Sequence, residues 1–355
     1  MAKQRIVWID TAKGICILLV VIYHSLIHTH ADCLLRNTNV ENFLCAFRMP
    51  LYFALSGIFF KTYYSFGNFI IRKVNKLIVP FLFFYILGSI IMPLLLDYLS
   101  LNLFSEYSLN ELVTDCIYNH CRRVNGPLWF LPCLFVSNLL FYVIQKVSKN
   151  ITYIVFGTIL FGFIGVLLSI NKIELPFCMS TSFTCVPFFC LGFVFNSAGL
   201  LNRPILSRNQ MLAFTIVSIL LIYLFAEEAV FSENRYENPG TVYFFSIIGI
   251  LFILLLSKKM GEIQFISYVG RYSLIVLCTH LFFIRLFCHL FHNIINSVSI
   301  LCLLCSMFTI LLCYLIIPFF LNHFPKFVAQ KDLLCVKSKT ESSNENVCRD
   351  IIMLI

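Results

Sequence analysis

Apolar stretches long enough to cross a bilayer alternate with short polar connectors along almost the whole chain. The windows fall at about 14–30, 43–60, 77–96, 128–145, 152–170, 177–196, 211–226, 241–257, 266–286 and 299–321. Each is as long as the hydrocarbon core is thick when coiled as a helix, so the pattern predicts ten membrane-spanning helices. Charge tests the count. With the N-terminus inside, 19 of the 26 basic residues fall in inner segments, and 11 of the 17 acidic residues fall outside. A missed or extra span would break that alternation.

The predicted fold is therefore all-α, a polytopic transmembrane helix bundle of about ten spans with both termini cytoplasmic. It divides into a membrane domain over 1–321 and a polar, loosely ordered cytoplasmic tail over 322–355. The first apolar run reads as an uncleaved span, because no small-residue cleavage pattern follows it. Composition agrees: 60% of residues are hydrophobic and only 12% charged, against about 25% charged in soluble domains. The net charge of +9 sits in short loops between spans and is no nucleic-acid signal. Most of the 16 cysteines lie inside apolar runs, where a thiol behaves as a small hydrophobe. Cys116 and Cys121 share a predicted external loop, which leaves a disulfide open.

Ionisable residues within spans carry the chemistry, since lipid cannot satisfy them. His24, Arg48, His280 and Arg285 all fall in the predicted outer half, Arg48 near the outer end of its span and His280 past the middle of 266–286. Together they imply a polar cavity opening outward. His280 is either a second member of the site or the structural partner of His24. A His pair at 24 and 28 has a spacing that can bind zinc, but no Glu follows the first His, and no metal site is predicted.

The inner side holds Lys13, Lys73, Lys76, Lys258, Lys259 and Arg271. Topology alone accounts for the pair at 258 and 259. Lys73 and Lys76, spaced i,i+3 before an apolar span, suit a phosphate. Lys13 and His24 are eleven residues apart, hence within ~20° of one helix face and ~16 Å apart along its axis. Two outer segments, Asp97–Pro127 and Glu227–Gly240, are acidic and contain Tyr and Asn. They read as a surface for a polar acceptor such as a sugar, or as solvated connectors.

At these residues the chain resembles acyltransferase family 3, integral-membrane O-acyltransferases of bacterial surface polysaccharides. The resemblance runs over roughly 5–320. It is carried by Trp8-Ile9-Asp10 through Lys13 to His24, by Phe47-Arg48-Met49-Pro50 to Ser56-Gly57, by Lys73-Val74-Asn75-Lys76 to Pro80, by Pro127-Leu128-Trp129-Phe130-Leu131, and by Gly270-Arg271-Tyr272-Ser273-Leu274 to His280. The chain departs from the family in having Lys-Lys where Arg-Arg is usual, and Arg48 where His is common. No hydrolase-like domain is expected after the last span, and the acceptor is then expected to be handled by the membrane part or by a partner.

The resemblance implies an acyl-CoA co-substrate, with acetyl-CoA the commonest donor and succinyl or another short acyl group the alternative, and no further cofactor. Its phosphates would meet Lys13, Lys73, Lys76 and Arg271, and its thioester would lie near His24. His24 would be general base or transient acyl carrier, Arg48 or Ser56 would stabilise the charge on the carbonyl oxygen, and His280 would be a further catalytic residue. The acceptor would be a hydroxyl of a cell-surface or lipid-linked carbohydrate, and the location the cytoplasmic (inner) membrane. The rival from another class is a saccharide exporter without chemistry, against which stands the lack of paired repeats or broken helices in matching halves. A sensor or structural membrane protein would leave the Lys13–His24 spacing without a purpose. Oligomeric state stays open.

Overall fold

The computed structural model describes residues 6–29, 39–61, 65–91, 108–201 and 207–335. It is an all-α, multi-pass membrane protein. In chain order the helices are α1 (Val7–His28), α2 (Asn39–Ile58), α3 (66–91), α4 (Leu109–Ile117), α5 (Phe130–Val147), α6 (Ile151–Ile170), α7 (Met179–Ser197), α8 (Arg208–Phe225), α9 (Pro239–Met260), α10 (Gln264–Arg271), α11 (Ser273–His292) and α12 (Val298–His323). The two strands among the described residues form a small antiparallel hairpin, β1 (Ala229–Val230) and β2 (Arg235–Tyr236).

Among the described residues, seven helices are long and apolar enough to cross a membrane. The other three predicted windows coincide with α2, α3 and α8. Polar residues such as Glu41 and Arg48 lower the hydropathy of α2, π-helical turns interrupt α3, and the apolar part of α8 is shorter. Large side chains such as Phe156 and Phe163 of α6 stand exposed on the outside of the bundle. In water such a surface would drive aggregation; in lipid it is the expected outer face.

The predicted window 266–286 is in fact two helices. The chain turns at Tyr272, between α10 and α11. α10 buries one face, and its small residue Gly270 lies against the Asp10 carbonyl and Gly14 of α1, while Gly14 faces the Ile266 carbonyl. His280 therefore lies eight residues into α11 rather than past the middle of a longer span. Arg48 likewise moves from a span end to mid-helix, because α2 begins earlier, at Asn39.

Pro50 lies inside α2 and has no N–H to give the carbonyl of Ala46 four residues back. The Ser246 hydroxyl of α9 donates to that carbonyl instead. The same helix meets α7 at backbone distance: a Cβ on Gly192 would strike the Ala54 carbonyl, and one on Gly57 would strike that of Phe189. Ser56, an alternative helper in the sequence reading, donates to Tyr52 O at 2.9 Å within its own helix.

Part of the predicted loose tail is ordered. Residues 324–335 fold back on α3, where Asn75 Oδ1 accepts from the N–H groups of Leu333 and Leu334, and Phe327 stacks on Phe83. Residues 336–355, and 97–107 of the predicted outer segment, lie outside the described residues. Cys116 and Cys121 are free thiols.

Candidate functional site

The last turns of α1, the middle of α2 and the first half of α11 meet around a cavity of 400 Å³. Its upper wall comes from the segment before α5 and from the β1–β2 hairpin, both assigned outside by charge. The hairpin is fixed from below by Asn234, whose φ of 49° is a left-handed conformation that Asn tolerates. Its amide donates to Gly165 O of α6 at 3.0 Å and its carbonyl accepts from the Thr184 hydroxyl of α7 at 2.7 Å. That anchor holds Phe231 and Glu233 over the cavity. The segment before α5 is tied in by Asn125, which donates to Cys278 O of α11 at 2.7 Å.

His24 and His280 lie against each other, ring centroids 5.2 Å apart and planes tilted by 50°. His280 Nδ1 is 2.9 Å from Val276 O. A carbonyl can only accept, so Nδ1 carries the proton in the neutral ring and Nε2 is left with a lone pair. That Nε2 is buried and meets no partner among the described residues.

Arg48 is the third member. Its guanidinium carbon lies 3.4 Å above the Tyr23 ring, in the residue before His24. Nη2 points at Cys45 Sγ at 3.7 Å, and Nε and Nη1 meet no acceptor among the described residues. Only 7% of Arg48 is exposed. Stacking on an aromatic face returns up to about 2 kcal/mol, less than the several kcal/mol that burying an unpaired cation costs. Negative charge, steady or transient, suits this position. At the rim, Arg122 pairs with Glu233 at 2.9 Å, and Arg235 with Glu233 at 3.3 Å and Glu228 at 3.1 Å.

The candidate basic residues at the other end do not all converge. Lys13 Nζ lies 5.3 Å from the Phe59 ring centre, and Lys73 Nζ lies 5.8 Å and 5.6 Å from those of Phe60 and Phe69. Both ammonium groups thus gather at the end of α2. Arg271 closes α10 immediately after the Gly270 contact with α1, exposed and over Tyr272 at 5.2 Å. Lys76 turns elsewhere. The helix is π-wound over Val74–Ile78, so the i,i+3 face expected of an α-helix is lost. Lys76 Nζ donates to Ala329 O at 2.6 Å and pairs with Asp332 at 3.4 Å.

Sequence reasoning missed Tyr23 as the platform for Arg48, and the hairpin as a cavity wall. The acidic segment Glu227–Gly240 was the available signal for the second. Nothing in the spacing signalled the first.

Paired imidazoles beside a stacked guanidinium, enclosed by apolar helices, define an integral-membrane protein with a buried polar centre. A family model described as "Acyltransferase domain" matches residues 6–327, and the chain belongs to that acyltransferase family. Among curated proteins, Nodulation protein NolL of Mesorhizobium japonicum is 26% identical over 228 residues, 59% of this chain and 53% of that protein. Inner membrane protein YcfT of Escherichia coli is 39% identical over 72 residues, 17% of this chain and 20% of that protein. The matches thus span about half of the first relative and a fifth of the second. No solved structure matches.

Proposed function

We propose that this chain is an O-acyltransferase of the cytoplasmic (inner) membrane. It moves a short acyl group, acetyl in the first instance, from cytoplasmic acyl-CoA to a hydroxyl of a cell-surface or lipid-linked carbohydrate. The observation that carries the proposal is the meeting of His24 and Arg48 in one cavity, with His280 packed against His24, within a chain of the acyltransferase family. His24, on the same helix as Lys13, takes the proton of the acceptor hydroxyl. The hydroxyl oxygen attacks the thioester carbonyl carbon, the C–S bond breaks, and the CoA sulfur leaves with the proton returned from the imidazolium. Arg48 faces the charge that builds on the carbonyl oxygen. In the acyl-carrier variant, a His24 nitrogen attacks the thioester carbonyl first, the C–S bond breaks, and CoA leaves as the thiol with the proton of the other His24 nitrogen. The acceptor oxygen then attacks the acyl carbon, the C–N bond to His24 breaks, and the hydroxyl proton passes by way of Nε2 of His280 to the departing His24 ring.

Lys13 and Lys73, gathered at the end of α2, and Arg271, at the end of α10, are the groups assigned to the CoA phosphates. Lys76 is held by Ala329 and Asp332 and is a weaker candidate. Lys73 precedes the predicted span at 77, and burial pushes its ammonium down to about 8. The charged form that attracts phosphate is present below that value and lost above it. The KM for acyl-CoA is therefore expected to rise between about pH 7 and 9, and Lys73→Arg to flatten that rise, because guanidinium keeps its charge. An unchanged pH profile in Lys73→Arg would remove Lys73 from the donor site.

The test of the whole reading is transfer from radiolabelled acetyl-CoA into membrane-associated glycan, with succinyl-CoA as second donor. Incorporation dependent on the protein is expected. No incorporation from either donor, with glycan still moved across the membrane, would point to an exporter.

A further inference from the structure

The His24 cavity is lined by the guanidinium groups of Arg48, Arg122 and Arg285. Arg122 is answered by Glu233, which Arg235 shares. Inside an apolar bundle charges are poorly screened, so a buried cation that no carboxylate answers acts strongly on whatever enters beside it. Arg48 is the deepest of the three cations. Its Nε and Nη1 are buried and without an acceptor among the described residues, as is Nε2 of the neighbouring His280.

The reaction proposed above does not supply a resting counter-charge here. A thioester and its pantetheine arm are neutral. The phosphates of CoA are assigned to the Lys13 end, ~16 Å down the helix axis from His24. The oxyanion exists only while the bond is being made, so it leaves Arg48 unanswered in the substrate-bound ground state.

We infer that this cavity takes a substrate group that is anionic in the ground state, a carboxylate or a phosphate, and that Arg48 is the specificity-determining contact for it. The inference rests on the acyltransferase reading. The anion has two sources: an acidic acceptor glycan entering past Arg122 and Arg285, or the far end of a dicarboxylic acyl group such as succinyl. An anion held by Arg48 sits beside Tyr23, one residue from His24, which places it next to the reacting carbonyl.

Membranes holding the full chain are labelled in parallel with acetyl-CoA and with succinyl-CoA, and the glycan product is released from lipid and passed over an anion exchanger. An acidic acceptor gives acetyl label retained on the exchanger. A dicarboxylic acyl group gives succinyl-CoA the higher kcat/KM. In either case Arg48→Gln is expected to lower the preference for the anionic substrate over the neutral one by about 10-fold or more, the scale of a lost charge-assisted hydrogen bond. Arg48→Lys restores most of the preference, which separates charge from a folding defect. A neutral acetylated product made without preference for succinyl-CoA overturns the inference. So does an equal loss with all substrates in Arg48→Gln, which would leave Arg48 to the oxyanion alone. Absence of label from every donor sinks the acyltransferase reading itself, and the inference with it.

Discussion

Replacing His24 with alanine is expected to lower acyl transfer by ~10²–10⁴-fold at matched abundance in the membrane, the range removed with a general base. A still larger loss fits a covalent carrier, since no second route replaces the missing nucleophile. The effect should fall on kcat more than on the KM for acyl-CoA, because the groups assigned to the donor phosphates lie at the other end of α1. His280→Ala should cost less. Its Nδ1 is committed to Val276 O, so it offers one lone pair as proton acceptor or as support for the His24 ring. The measurement is radiolabelled acyl incorporation per quantity of immunodetected protein. Equal incorporation by His24→Ala and parent would take His24 out of the mechanism, whatever the family.

The second large effect concerns folding. Gly192→Leu should sharply reduce the protein recovered as a monodisperse species from detergent extracts. Any side chain at 192 meets the Ala54 carbonyl, which belongs to backbone and cannot rotate aside. Overpacking by added methylenes costs about 1–3 kcal/mol even where side chains yield, and here α2 and α7 must separate. α2 carries Arg48, so the damage reaches the cavity. Gly67→Ala is the control: its Cβ meets nothing within 4 Å, and alanine favours the helix by up to about 1 kcal/mol. A Gly192→Leu protein with the parent's elution profile and Tm would show that the two helices do not approach as described.

The sequence made the bundle legible because hydropathy and loop charge are local properties imposed by lipid and by insertion. His24, Arg48 and His280 could be sorted to a common depth for the same reason, since an ionisable group in a span has few tolerable surroundings. Depth says nothing of azimuth, however, and the meeting of the two imidazoles required the packing of α1 on α11. What escaped was non-local. The partners of Lys76 lie more than two hundred and fifty positions away, at Ala329 and Asp332. The turn at Tyr272 was hidden inside an apolar window whose length alone looked sufficient. The left-handed residue that sets the hairpin, Asn234, is an ordinary turn residue until its amide is seen bonded to two helices.

The proline of α2 has a mechanical consequence. Its orphaned Ala46 carbonyl is satisfied only while Ser246 of α9 stands opposite, and Gly57 and Gly192 fix the same helix against α7. A hydroxyl–carbonyl pair survives tilting but not sliding, because a shift of one residue along the axis is 1.5 Å and carries the donor past its acceptor. In a bilayer thinner or thicker than its own, this trio of helices is therefore obliged to lean as one body. The mismatch falls on the lipid-facing helices such as α6 and on the annular lipid, while the register of Arg48 is kept.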